Sequence, residues 1–120
     1  MSRTSKKASA GAPSQIAAIS ASSASVAKAI DVVRDLAWAG QHAQAVARCS
    51  QELAATYLEP GRQMQLHSLR AESFIAQGRY ADAELDAAAM LELAGVHNRS
   101  ELRAEALSGQ ALVRMRQGHL

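Results

Sequence analysis

Cys49 and Ser50 stand side by side, and His42 lies seven residues before Cys49. On a helix that spacing is about two turns, so thiol and imidazole would share a face. Two such groups make half of a tetrahedral zinc site, which needs two more ligands close by. No Cys-x-x-Cys or His-Glu-x-x-His occurs, and His67, His97 and His119 fall on other segments, so neither a metal nor another cofactor is expected. Nucleophilic catalysis by Ser50 would call for a strained elbow such as Gly-x-Ser-x-Gly, which is absent. Asp82, Glu84 and Asp86 offer paired carboxylates, with Asp82 and Asp86 on one helix face. In the first turns of a helix such charge meets the positive end of the dipole, so exposed decoration is the simpler reading. The seven glycines are dispersed and form no phosphate-cradling loop. These residues predict no enzyme.

Trp38 is the single tryptophan in a chain whose aromatic content is only 3%. Exposed, it could anchor a partner with a contribution of ~2 kcal/mol. The plainer expectation is that it packs at the end of its helix against the next. Cys49 is expected to be a small core residue.

The elements that must position these groups are helical. Apolar residues form 48% of the chain, alanine is the commonest residue and β-branched runs are absent, which suits closely packed helices. Three similar phrases end in glycine: Leu36-Ala-Trp-Ala-Gly40, Phe74-Ile-Ala-Gln-Gly78 and Val113-Arg-Met-Arg-Gln-Gly118. The glycines are 38 and 40 residues apart, a period that marks stacked helical repeats. Helical spacing predicts five helices. The first starts near Val26, capped by Ser23 or Ser25, and ends at Gly40. The second runs from about His42 to Tyr57 with Ala43, Val46, Leu53 and Ala54 inward. The third spans about Pro60 to Gln77, with Pro60 at its first position. The fourth runs from Tyr80 to about Ala94, where Gly95 opens a loop, and includes Leu85 among its apolar residues. The fifth runs from about Arg99 to Gln117, introduced by a capping box of Asn98 and Glu101, with Leu102, Ala106, Leu107, Ala111, Leu112 and Met115 on its apolar side.

Residues 1–24 are low in complexity and rich in Ser, Ala and Lys; they read as a flexible arm ahead of a helical domain at 25–120. The net charge of +2 resides in that arm, at Arg3, Lys6 and Lys7; from Val26 onward 10 Lys/Arg face 11 Asp/Glu. A folded body without a basic stripe does not predict nucleic-acid binding. No run of apolar residues is long enough to span a membrane. The lone cysteine permits no internal disulfide, and a cytoplasmic location is the expectation.

The phrases around Ala71, Phe74, Gly78, Tyr80 and Ala83 resemble the tetratricopeptide repeat family. There a small residue sits where two helices approach, a large apolar residue follows one turn later, and a glycine turn leads to an aromatic and a second small residue. Val33, Leu36, Gly40, His42 and Ala45 take these places in the first repeat, and Ala111, Arg114, Gly118 and Leu120 in the third. The family's usual period is shorter, so the chain is similar to long-period variants found in bacterial signalling and regulatory proteins. The resemblance implies an all-α fold: antiparallel helix hairpins stacked as a short right-handed solenoid, two pairs plus an unpaired fifth helix.

It further implies a concave face built from the first helix of each pair. Ile30, Arg34 and Trp38 would line it, followed by Gln65, Ser68, Glu72 and Ile75, then Glu105, Ser108 and Leu112. This mixed surface suits an extended or helical peptide better than an acidic tail. The function so implied is a protein-interaction or scaffold module, the N-terminal part of a larger bacterial protein. An alternative is a homo-oligomerisation module, with Leu102, Leu107 and Leu112 left for self-association on the uncovered fifth helix. A small-molecule sensor would need a deeper cavity than this chain is expected to form.

Overall fold

A computed structural model describes residues 24–54, 58–97 and 99–118. Among them are five helices and no strand: α1 (24–38), α2 (His42–Leu53), α3 (Pro60–Ala76), α4 (Tyr80–His97) and α5 (Ser100–Gln117). Residues 1–23, and with them Ser23 as a cap, Asn98 and Leu120 lie outside the described residues, whereas Ala24 and Ser25 are already within α1.

The glycine phrases end helices for a stated geometric reason. Gly40, Gly78 and Gly118 have φ of 80°, 74° and 81°, the left-handed conformation that only glycine adopts without strain. At the first two, paired hydrogen bonds complete a Schellman motif. Gly40 N–H donates to Ala37 C=O at 3.0 Å and Gln41 N–H to Leu36 C=O at 2.8 Å. Gly78 and Arg79 repeat this on Ile75 and Phe74 at 2.9 and 2.8 Å. Identical caps make identical turns.

Other boundaries differ from expectation. Helix α2 stops at Leu53, short of Tyr57. Helix α4 continues through Gly95 to His97, because nothing beside Gly95 requires a left-handed residue. The residue that caps α5 is Arg99, which offers no side-chain acceptor; Glu101 instead accepts from its guanidinium at 2.8 Å. At α3 the expectation holds: Pro60 sits in the first turn and the Glu59 carboxylate accepts from Gly61 N–H at 3.3 Å.

Three apolar clusters join the helices. Val26, Ile30 and Val33 of α1 bury against Ala45 and Cys49 of α2 and Leu66 of α3. Ala71, Phe74 and Ile75 of α3 bury with Ala83 and Ala87 of α4 and Val113 of α5. Met64, Met90, Ala94, Leu102 and Ala106 form the third, from α3, α4 and α5. Small residues recur where helices meet, so backbones approach closely. At Gly109 a Cβ would lie 3.2 Å from the Met90 methyl.

Burial repeats along the chain. Val26, Met64 and Leu102 are all buried and lie 38 residues apart. Leu36, Phe74 and Leu112 keep the same interval and are each at least half-buried, as do Ala37, Ile75 and Val113. Val33, Ala71 and Gly109 form the small-residue series, so Gly109 takes the place expected for Ala111, which is exposed. The reason is that Gly118 comes two residues late. Two residues turn a helix by about 200°, so counting back from Gly118 selects the wrong face of α5. Consecutive helices also touch in reverse order: Phe74 meets Arg79 beside the turn, while Arg70 and then His67 meet Asp86 farther along.

The inward face of α2 is only in part the one expected: Val46 and Leu53 pack against the apolar clusters. Ala45 and Cys49 are buried, whereas Ala43 and Ala54 are exposed. On α4, Leu85 is exposed.

Candidate functional site

The first, third and fifth helices leave a groove between them. Its first half, about 570 Å³, is lined by residues including Arg34, Ala37 and Trp38 of α1, Ser68, Leu69 and Glu72 of α3, and Glu105 of α5. Its second half, about 480 Å³, shares Ser68, Glu72 and Glu105 and adds Glu101, Ser108 and Leu112. Seven residues expected on a concave face are thus brought together: Arg34, Trp38, Ser68, Glu72, Glu105, Ser108 and Leu112.

The other three are elsewhere. Ile30 and Ile75 are 2% and 9% exposed and belong to the apolar clusters. Gln65 lies outside both halves of the groove and accepts from Arg62 at 3.1 Å. The two isoleucines follow from side-chain chemistry: once the helices pack, the most apolar residues on a boundary rotate into the core.

Trp38 is 94% exposed at the rim of the groove, not packed on the second helix. It is the last helical residue of α1, two residues before the turn at Gly40. Among the residues expected for self-association, Leu102 is 5% exposed and in the core. Leu112 is half-buried, and Leu107 is 52% exposed.

The electrostatics of the groove are lopsided. Glu72 and Glu105 are near enough to repel, and neither forms an ion pair among the described residues. Glu72 is exposed at the groove surface, yet the surrounding walls strip enough water to push its carboxyl above the usual range. Arg34 opposes that shift and Glu105 adds to it. Arg34 itself is 3.8 Å from Asp31.

Behind the groove, a polar network fastens α2, α3 and α4. Asp86 is 1% exposed, contrary to the expectation of surface decoration. Arg70 Nη2 donates to its Oδ1 at 2.6 Å and Nε reaches both oxygens at 3.0 Å. His67 Nδ1 lies 2.8 Å from the same Oδ1; an ionised carboxylate only accepts, so the ring nitrogen donates. Arg70 Nη1 donates to Ser50 Oγ at 3.0 Å, and His42 shares a 3.1 Å hydrogen bond with Ser73 Oγ. A signal for Asp86 exists in the sequence: it interrupts the stripe Ala83, Ala87, Met90, Ala94, where only apolar residues otherwise face inward.

Cys49 and His42 do not converge on a common site. Burial pushes the Cys49 thiol up to about 12, the opposite of an activated nucleophile. Among the described residues no three His, Cys, Asp or Glu side chains are grouped to hold a metal. No described helix is long and apolar enough to cross a membrane. The chain matches no protein-family model, no curated protein and no solved structure.

Proposed function

We propose that residues 25–120 form a short, right-handed, tetratricopeptide-like solenoid that binds a segment of a partner protein in the groove along α1, α3 and α5. The hairpins are α1–α2 and α3–α4, with α5 opening a third. The 38-residue recurrence of buried positions supports the stacking, because a repeated interval places equivalent helices side by side. The single observation that carries the binding reading is Trp38, fully presented at the rim of a groove that spans three helices. Tryptophan at 94% exposure leaves its large apolar surface in water, whereas in an interface it is among the residue types that most often dominate affinity.

The test is selection of random displayed peptides on the full chain, followed by titration of the enriched sequences. Trp38→Ala is expected to weaken binding about thirtyfold, corresponding to a hot spot of ~2 kcal/mol, without changing helicity. Enrichment of no peptide, or only of peptides indifferent to Trp38→Ala, defeats the reading.

A second reading, self-assembly, draws on α5. Ala104, Leu107, Ala111 and Met115 are all exposed at spacings of three and four, an apolar stripe with no covering helix among the described residues. Sedimentation at low micromolar concentration, comparing the chain with Leu107→Glu, decides it. A shift from dimer to monomer favours assembly, and an unchanged monomer removes it.

A further inference from the structure

We propose that the segment accepted by the groove is cationic, with a Lys or Arg side chain seated between Glu72 and Glu105 and a neighbouring apolar side chain against Trp38. This inference rests on the peptide-binding reading above and adds the chemistry of the occupant.

The argument is one of complementarity. The groove presents three carboxylates, of Glu72, Glu101 and Glu105, and one guanidinium, Arg34. Glu101 is already engaged by Arg99 at 2.8 Å, and Arg34 has Asp31 nearby. That leaves Glu72 and Glu105 as neighbouring carboxylates with no ion pair of their own among the described residues, on the facing helices α3 and α5, with Arg34 offsetting only part of the rise at Glu72. Their mutual repulsion and the partial desolvation of Glu72 are costs the free protein carries, and an incoming cation relieves both. The Ser68 and Ser108 hydroxyls border the same space and can accept further N–H donors from an ammonium or guanidinium. Apolar surface flanks the charged centre, with Leu69 and Trp38 toward one end and Leu112 toward the other. An acidic peptide or a phosphate backbone would meet net negative charge and be repelled.

The peptides enriched on the full chain supply the test. Lys or Arg adjacent to an apolar residue is expected in them, with affinity falling as salt rises. Glu72→Gln and Glu105→Gln should each weaken the best peptide about tenfold, the loss of one charge-assisted hydrogen bond. Replacing the peptide's basic residue by Gln should weaken it equally, and should have little further effect on the doubly substituted protein. Both positions are exposed, so helicity should be unchanged. Peptides that need Trp38 but are neutral or acidic, and indifferent to both Gln substitutions, overturn the cationic occupant while leaving peptide binding intact. Absence of any Trp38-dependent peptide overturns the underlying reading instead. The chain's own Arg3, Lys6 and Lys7 are a rival occupant. If their joint substitution by Gln tightens peptide binding tenfold or more, the groove belongs to the arm, and the external partner is overturned.

Discussion

Asp86→Asn is the sharpest probe of how this fold is held together. The substitution keeps shape and removes charge. In the native protein the carboxylate accepts from Arg70 through both Nε and Nη2, at 2.6 to 3.0 Å, and from His67 at 2.8 Å. An amide has one acceptor oxygen, and its NH2 group must face one of these donors, so at least one donor pair is left in opposition. Removing one member of a buried ion pair costs about 3–5 kcal/mol, because the remaining charge stays desolvated. The side chain of Arg70 is 22% exposed, so water reaches part of the guanidinium and the lower end, ~3 kcal/mol, is the expected loss. For a domain of this size that lowers Tm by roughly 12–20 °C. Urea unfolding followed by far-UV circular dichroism measures it. A double-mutant cycle with Arg70→Met separates the pair from its surroundings: the combined variant should be much less destabilised than the two single losses added together. A cost below about 1 kcal/mol for Asp86→Asn, or strict additivity in the cycle, would refute the claim that this network fastens α2, α3 and α4.

Three further outcomes are expected. Because the Glu72 carboxyl titrates above the usual range, the folded state holds its proton longer than the unfolded state and stability falls as pH rises through that window. Glu72→Gln should therefore raise Tm at neutral pH and leave it unchanged in acid below the ordinary carboxylate range; thermal melts at both conditions check the sign. Cys49, buried and raised to about 12, should resist thiol reagents in the native protein and react at the rate of unfolding in urea, with stability declining as alkaline pH ionises the thiol only in the unfolded chain. Labelling at the exposed-thiol rate would contradict its burial. Gly78→Ala forces a side chain into φ of 74° and should cost about 1–2 kcal/mol by equilibrium unfolding, although no atom lies within 4 Å of the new methyl.

Local chemistry made much of the fold legible. Three glycines in similar phrases mark three helix ends, because a left-handed residue is a property of the chain at that point and needs no partner. The apolar spacing likewise locates five helices. The four groove residues of α1 and α3, Arg34, Trp38, Ser68 and Glu72, could be placed because register from a turn glycine carries along a rigid helix. The same rule misled at α5, where two extra residues before Gly118 turned the face about and left Ala111 outside and Gly109 in contact with Met90. In α2, alanine is so frequent that its spacing does not distinguish one face from another, and the choice of Ala45 with Cys49 over Ala43 with Ala54 was made by packing.

The sequence by itself determined the helical class, the positions of the turns and the alternation of small residues that lets helices approach, since each depends on neighbours within a turn or two. Only the tertiary structure decided where charge and aromatic surface end up. Asp86 is buried because Arg70 and His67 arrive from another helix to satisfy it, and Trp38, the last residue of α1, is 94% exposed. Glu72 and Glu105 become neighbours in one groove only when α3 and α5 lie alongside. Burial of a charge is decided by partners distant in the chain, and no local pattern encodes their arrival.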